Sequence, residues 1–423
     1  MTSSPKITSI LAVPGFAPPP VAGGLPSEDE PASLPREMVS IGLVLDGQEV
    51  IWGDCLLTAG LLPEKEHPFN AREALTTIQK TLPRFLRGAA LDNFPAIAQK
   101  IDTHLEQTGQ TGQVRLIHPA LRYGLQQALL GVAARKRQTG VIQAIADMYG
   151  FPTPPNTPPP LHLEAGYPPL SLKRSPLLRQ AASIGLTTSA EDVETELGKA
   201  GQILQRHVRA LREELNAIRK SASNGSASEE AADLPAIHLN VRGGLGKLYD
   251  NQFGKIMGAL FGLEAAAAAY TLRVEDPLLM DASLTHTNTI KELKNYLQLR
   301  RMKAELVIGS HIRSLKNIQD IIDDDQAAHM VRLRTANFGS LHQTIKAIAA
   351  CREKGMPVLL EAGAIETGRS IQTLAQLAMA TQPDFVTAEP GTITAPSLLA
   401  LHSEMARLTA WSGSQSSKVA DSR

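Results

Sequence analysis

Cysteine is scarce in this chain of 423 residues, which contains only Cys55 and Cys351. Neither cysteine belongs to a closely spaced pair, so the sequence offers no disulfide framework and no thiol pair of the metal-binding or redox type. We therefore expect both side chains to act as small buried hydrophobic groups. This cysteine usage is typical of a protein in a reducing compartment, and we predict a cytoplasmic location.

The sequence also lacks an excess of charge of either sign. Lysine plus arginine and aspartate plus glutamate both number 42, which gives a net charge of zero. No long-range electrostatic field therefore favours nucleic acid or a membrane surface, and we expect neither as a partner. Long apolar runs are missing as well, since the most apolar stretch, 256–270, is interrupted by glycine and is shorter than the roughly 20 residues of a membrane helix.

Changes in local composition divide the chain. Proline dominates residues 152–160, which predicts a stiff, extended connection. Serine and alanine dominate 221–233, which predicts a flexible insertion, and the polar end at 412–423 predicts a disordered tail. We therefore expect an N-terminal α+β capping domain over 1–151 and a second domain over 161–411.

The first domain combines strand signals with helical periodicity. Alternating residues predict strands at 7–13, 39–45 and 49–52, and Asp46-Gly47 between the last two strands is a hairpin signal. Helical spacing follows in four segments: 71–86, 94–106, 119–136 and 141–149.

The second domain repeats one unit, a short aliphatic run followed by a loop and an amphipathic helix. Six such runs predict strands at 237–240, 272–275, 305–308, 330–334, 358–361 and 385–388. With two weaker units before residue 234, this pattern favours a parallel (β/α)8-type barrel. Gly243-Gly244-Leu245-Gly246 lacks the spacing of a dinucleotide-binding loop, so we interpret it as a tight turn and expect no organic cofactor.

Polar residues close several of the predicted strands, where barrels carry their chemistry. They are Asn240, Glu275, the turn at 309–311, Arg332, Arg334, Glu361 and Glu389. The pattern indicates an oxygen-lined metal site or an anion site, although solvated rim residues would give the same pattern.

At these positions the sequence resembles the methylaspartate ammonia-lyase family of the enolase superfamily. The resemblance is carried by segments such as Leu272-Arg273-Val274-Glu275-Asp276-Pro277 and Glu366-Thr367-Gly368-Arg369-Ser370, and it extends in order from about Lys6 to Arg407. It implies an N-terminal capping domain, an enolase-superfamily barrel and a homodimer. It also implies magnesium-assisted elimination of ammonia from 3-methylaspartate, with a lysine base and an assisting histidine.

The resemblance places the three metal-ligand positions of the family on Asn240, Glu275 and Gly309, where the family has Asp, Glu and Asp. Because Mg²⁺ prefers charged oxygen ligands, this set predicts weak magnesium binding at most. His311 lies two residues beyond the third position and is a substitute ligand, although imidazole suits zinc or iron better.

The positions implied for acid–base chemistry are altered too. The family's lysine falls on Arg334, whose guanidinium is a poor base but a good anion clamp. The preceding glutamine of the family falls on Arg332, and the histidine falls on Thr187. Arg334, Thr187 and Glu164 are accordingly the candidate catalytic residues.

The substrate-binding positions implied by the resemblance also differ from the family. A glutamine becomes Glu164, and a Thr-Cys pair becomes Gly363-Ala364. Together with Arg332, the candidate substrate-binding residues are Glu361, Gly363 and Ala364.

Three interpretations of this strand-end region remain open: internal arginine–carboxylate pairs, an arginine-lined anion site and a residual metal site. Two main functions remain open as well. The first is a diverged enzyme, such as a carbon–nitrogen lyase that acts on a small anionic or amino-acid-like ligand, with Glu164 or Glu361 as its base. The second is a catalytically silent homologue that acts as a binding or assembly partner.

Overall fold

Three antiparallel strands form the N-terminal sheet in the computed structural model. They are β1 (Ile7–Ala17), β2 (Arg36–Leu45) and β3 (Val50–Cys55), in the order β1-β2-β3. The structure describes residues 6–17, 36–46, 48–56, 69–107, 114–166, 176–189, 191–222, 234–279, 286–323, 326–363, 366–388 and 395–420. Gly47 of the predicted hairpin lies outside these ranges, but the pairing of β2 with β3 confirms the hairpin itself.

Five helices follow this sheet in the described part of the N-terminal domain. They are α1 (Ala71–Lys80), α2 (Leu82–Leu86), α3 (Phe94–Thr103), α4 (Pro119–Lys136) and α5 (Val141–Tyr149), with a small ribbon of β4 (Leu105–Gln107) and β5 (Val114–Leu116) between α3 and α4. Of these helices, α1 and α4 pack against the strands of the sheet. The single helix predicted over 71–86 is two helices, because Pro83 cannot supply the backbone donor that a continuous helix needs.

Close backbone contact joins α4 to β3. A Cβ atom on Gly53 would lie 2.0 Å from the carbonyl oxygen of Gly124, so only glycine permits this approach. The contact fixes the neighbouring residue, Asp54, at the edge of the sheet that meets the barrel. Cys55 is buried there and Cys351 is buried in a barrel helix, and both are free thiols, as predicted.

Eight parallel strands close the barrel in sequence order. They are β6 (Leu161–Glu164), β7 (Ala181–Thr187), β8 (Ala236–Asn240), β9 (Leu272–Glu275), β10 (Glu305–Ile308), β11 (Met330–Arg334), β12 (Val358–Ala362) and β13 (Phe385–Ala388). The (β/α)8 prediction is confirmed, and the two weaker predicted units are β6 and β7. Gly243 has a φ of 81° directly before the next helix, which is the tight turn predicted there.

The barrel helices pack outside the strands. They are α6 (Val193–Leu197), α7 (Gln202–Ala222), α8 (Gly244–Tyr249), α9 (Phe253–Ala267), α10 (His286–Leu299), α11 (Leu315–Asp323), α12 (Thr335–Phe338), α13 (Leu341–Glu353), α14 (Gly368–Thr381) and α15 (Pro396–Ala420), with a 3₁₀ turn at Pro176–Gln180. No helix in the described part of the chain is long and apolar enough to cross a membrane.

Two segments that we predicted to be irregular, the insertion and the C-terminal tail, overlap with helices. The backbone of α15 is helical to Ala420, whereas we expected disorder from residue 412. No proline interrupts the helix after Pro396, and each residue added to an already formed helix gains a hydrogen bond without a new nucleation cost. The predicted insertion begins inside α7, and its residues 223–233 lie outside the described ranges.

Candidate functional site

Strand register brings the predicted site residues to one end of the barrel. Arg334 lies opposite Glu361 on the neighbouring strand, and Asn240 lies opposite both Thr187 and Glu275. Because all eight strands run parallel, their carboxyl ends share one rim, which we call the mouth. These residues therefore lie together at the mouth.

Arg332 is the centre of the charge arrangement at the mouth. Its Nε and Nη2 donate to the two oxygens of Glu361 at 2.9 and 2.5 Å. Its Nη1 donates to Oε2 of Glu275 at 3.0 Å and lies 3.8 Å from Oε1 of Glu164. One buried guanidinium thus contacts carboxylates from β6, β9 and β12. We call Arg332, Arg334 and these three glutamates the mouth network.

Glu275 is fully buried, and both of its oxygens are engaged. Oε1 accepts from the Asn240 amide at 3.0 Å, and Oε2 lies 2.8 Å from Nε2 of His238 in addition to its bond from Arg332. Burial alone would raise the pKa of Glu275, but the charge of Arg332 and the contact with His238 outweigh it and hold this pKa well below its usual range. Glu275 is therefore a fixed carboxylate.

The other two carboxylates are held in the same way. Arg334 donates from Nε to Glu361, and Thr187 donates to Oε2 of Glu164 at 3.2 Å. Burial would raise the pKa of both glutamates, but arginine charges at Glu361 and the hydrogen bond and charge of His162 at Glu164 lower it overall. Both side chains are ionised at neutral pH.

Two histidines complete the mouth network from below, and neither was predicted from the sequence. His162 Nε2 lies 3.1 Å from Glu164, and its Nδ1 lies 2.9 Å from the hydroxyl of Ser183. His238 is buried beneath Asn240 and contacts Glu275. Each histidine precedes an inward-facing residue by two positions, so the two-residue period of a strand was the signal that could have identified them.

Glycines leave room for the carboxylates inside the barrel. A Cβ on Gly309 would lie 2.2 Å from Oε1 of Glu275, and a Cβ on Gly185 would lie 2.7 Å from Oε2 of Glu164. The space beside Gly309 is therefore filled by the carboxylate of Glu275. An aspartate at position 309 and Glu275 in its present orientation exclude each other.

These residues do not fit a magnesium site. Both oxygens of the Glu275 carboxylate accept hydrogen bonds, and the guanidinium of Arg332 occupies the side of this carboxylate that a cation would need. The side-chain amide oxygen of Asn240 accepts from the backbone N–H of Arg242 at 3.2 Å. In the described ranges, no three His, Cys, Asp or Glu side chains are placed to share a metal ion. His311, the predicted substitute ligand, belongs to no such group.

The remaining predicted residues lie around the loop after β12. The backbone N–H of Gly363 donates to Oε1 of Glu366 at 2.9 Å, so this predicted binding residue already has an acceptor within the chain. Ala364 and Glu389 lie outside the described ranges. The mouth network can therefore bind charge and fix side chains, but each of its carboxylates is tied to an arginine and none is poised as a base.

A second group of polar residues lies where the N-terminal sheet meets the mouth, and sequence reasoning did not identify it. Oε2 of Glu366 and the hydroxyls of Tyr123 and Thr335 are buried and have no hydrogen-bond partner. Asp54 of β3 acts electrostatically on both Glu366 and Tyr123. We call these four residues the junction cluster. The sequence shows Glu366 only as part of the segment that follows β12.

Comparison with known proteins agrees with this architecture. Family models described as methylaspartate ammonia-lyase N-terminus and C-terminus match residues 32–150 and 177–413. Methylaspartate ammonia-lyase 2 of Carboxydothermus hydrogenoformans is 29% identical over 375 residues, which cover 88% of this chain and 86% of that protein.

Solved structures show the same fold. The magnesium complex of β-methylaspartase from Clostridium tetanomorphum has a TM-score of 0.78 and 23% identity, covering 97% of this chain and 100% of that one. The Citrobacter amalonaticus methylaspartate ammonia-lyase that contains (2S,3S)-3-methylaspartic acid has a TM-score of 0.76 and 23% identity, covering 96% and 99%. With its two matched regions, its capping sheet and its enolase-superfamily barrel, this chain belongs to the methylaspartate ammonia-lyase family.

Proposed function

We propose that this chain is a catalytically silent homologue with respect to magnesium-dependent ammonia elimination, and that it acts as a binding or assembly partner. One observation supports the proposal above all: Arg332 contacts all three mouth carboxylates, at 2.5, 3.0 and 3.8 Å. A guanidinium carries a permanent positive charge, so Arg332 and Arg334 together offset two of the three negative charges without a divalent ion.

The lack of a suitable base in the mouth network supports the same proposal. Proton abstraction near neutral pH requires a group whose pKa lies near the working pH. The pKa values of Glu164, Glu275 and Glu361 are all lowered, which makes them weak bases, and Arg334 stays protonated. The expectation that Glu164 or Glu361 supplies the base therefore finds no support in this geometry.

A second candidate function is binding of a small anionic or amino-acid-like ligand, either by a diverged lyase or by a binding protein. It is favoured by the position of Arg334, whose side chain is 17% exposed while Arg332 is buried. Guanidinium binds carboxylates well, and the Citrobacter relative holds a ligand of this class. We further propose a cytoplasmic homodimer, with the capping domain over 1–151 and the barrel over 161–411.

Ammonia release and metal content test the first proposal together. We expect no Mg²⁺-stimulated release of ammonia from 3-methylaspartate, and substoichiometric divalent metal by elemental analysis after dialysis against Mg²⁺. The Clostridium enzyme serves as the positive control. Mg²⁺-stimulated turnover that disappears in Arg334→Ala but persists in the exposed-site control Arg135→Ala would contradict the proposal.

Calorimetry separates the two candidate functions. Titration of the full chain with 3-methylaspartate in the presence of a chelator should show saturable heat if Arg334 provides an anion site, and Arg334→Ala should abolish that heat. If neither the unmodified chain nor Arg135→Ala gives binding heat, 3-methylaspartate is not a ligand, and the role as a binding or assembly partner is favoured. Analytical ultracentrifugation of the same samples tests the homodimer.

A further inference from the structure

Asp54 ties the capping sheet to the barrel. Its two carboxylate oxygens accept hydrogen bonds from the hydroxyls of Ser40, at 2.7 Å, and Thr367, at 2.6 Å. Thr367 is the N-cap of α14 and directly follows the loop after β12. The contact therefore joins β2 and β3 of the sheet to the loop of the barrel that carries Glu366.

Glu366 is bonded on one side only. Its Oε1 accepts from Gly363, while its Oε2 is shielded from solvent and has no partner. The hydroxyls of Tyr123, from α4, and Thr335, at the start of α12, are equally buried; they interact with each other, but neither makes a hydrogen bond of good geometry. Most buried polar groups in native proteins have partners, so three such atoms from three elements at one junction require an explanation.

We propose that Glu366 is a proton-operated latch between the capping sheet and the barrel mouth. The neutral carboxyl group is compatible with the closed junction that Asp54 and Thr367 form, and its ionisation loosens that junction. An ionised Glu366 would place a second negative charge beside Asp54 in a buried place, where burial and like charge both disfavour it. This inference is independent of whether the mouth network is catalytic.

The titration range of Glu366 agrees with this geometry. Burial, and to a lesser degree the charge of Asp54, raise its pKa to about 7, against the opposing influence of the Ser370 hydroxyl and the Gly363 N–H. Tyr123 faces it from α4, and its own pKa is raised well above the usual value by burial and by the charge of Glu366. Tyr123 therefore stays neutral, and Glu366 is the member of the junction cluster that changes its charge near neutral pH.

The sign of the pH dependence follows from this raised pKa. Below the ordinary carboxyl value of 4.5, Glu366 is protonated in both the folded and the unfolded chain. Between pH 4.5 and about pH 7 the unfolded chain releases the proton and the folded chain keeps it, so the free energy of unfolding falls as pH rises. Above about pH 7 the contribution of Glu366 to the free energy of unfolding no longer changes with pH.

Denaturant unfolding of the full chain and of Glu366→Gln across this range tests the latch. Relative to Glu366→Gln, the folding equilibrium constant of the unmodified chain should fall about 100-fold between pH 4.5 and pH 8, as a shift of the pKa from 4.5 to about 7 implies. A ratio between the two proteins that stays constant with pH would overturn the proposal.

Hydrogen exchange localises the effect and covers the case in which Glu366→Gln does not fold. After correction for intrinsic rates, amides of β3 and of the first turn of α14 in the unmodified chain should lose protection between pH 6 and pH 8.5, while those of β8 and β9 should not. If the junction amides keep their protection, or if the whole chain loses it uniformly, Glu366 is not a latch at this junction.

Discussion

Glu361 of the mouth network and Glu366 of the junction cluster flank the short loop after β12, and the pKa values of the two carboxyl groups are shifted in opposite directions. At the mouth, three buried carboxylates contact Arg332, and the pKa of each is lowered. At the junction, Glu366 lies near another carboxylate, and its pKa is raised to about 7. The difference shows that burial does not decide the protonation state alone. At the mouth, arginine charges outweigh the effect of burial, whereas at Glu366 no cation opposes burial and the charge of Asp54 adds to it.

The two regions therefore respond to pH with opposite signs. A carboxylate with a lowered pKa stabilises the fold above its ordinary value of 4.5, and this contribution is lost as pH falls through the folded-state pKa. Glu366 instead favours the fold at low pH and loses that contribution as pH rises toward about 7. The mouth network is held by a permanent internal cation, whereas the junction cluster depends on a proton.

Of the substitutions proposed, Arg332→Met should lower the free energy of unfolding the most. It removes the guanidinium and leaves buried carboxylates without their cation, which typically costs about 3–5 kcal/mol. Denaturant unfolding at pH 7 measures the loss. Arg135→Ala is the matched control, because its ion pair with Glu49 is exposed and should contribute about 1 kcal/mol or less. Equal losses in the two variants would mean that the mouth network contributes no more than a surface pair.

Gly309→Ala should have an intermediate effect. The added Cβ would lie 2.2 Å from Oε1 of Glu275, so the carboxylate must shift away from Asn240, and overpacking of this kind costs about 1–3 kcal/mol. Gly258→Ala in α9 is the control: its Cβ meets no atom within 4 Å, and it should stabilise the exposed helix interior by about 0.5–1 kcal/mol. A neutral result at Gly309 would show that Glu275 does not fill that space in solution.

Much of the fold could be predicted from the sequence, because barrel strands have a strong local signal. Strands β9, β10, β11 and β13 have the predicted bounds, since short aliphatic runs between amphipathic helices specify buried parallel strands. The wrong helix predictions lie where a proline or a neighbouring strand overrides the helical spacing of the sequence. The helix predicted over 71–86 breaks before Pro83, and the helix predicted to Glu106 ends early because Leu105–Gln107 pairs with β5.

The site was only partly predictable. Strand ends identified Arg332, Glu275 and Glu361 as neighbours, because the carboxyl ends of parallel strands share one rim. Which oxygen bonds which nitrogen depends on three-dimensional distances that no spacing encodes. The junction cluster was missed for the same reason: Asp54 and Glu366 lie more than 300 positions apart in the chain and meet only when the sheet docks on the barrel.

Asp54→Asn should have the smallest effect and sharpens the comparison most directly. It removes the negative charge beside Glu366 but keeps the shape of the side chain and one of its two oxygens. Loss of one hydrogen bond should cost about 1 kcal/mol at low pH. Without the repulsive charge, the pKa of Glu366 should fall, so the decline in stability with rising pH should end at a lower pH than in the unmodified chain. Unfolding midpoints from about pH 4 to pH 9 measure this, with Ser40→Ala as the control that loses one hydrogen bond to Asp54 and keeps the charge. If the two variants give the same pH profile, the charge of Asp54 does not set the protonation of Glu366, and burial alone holds its proton.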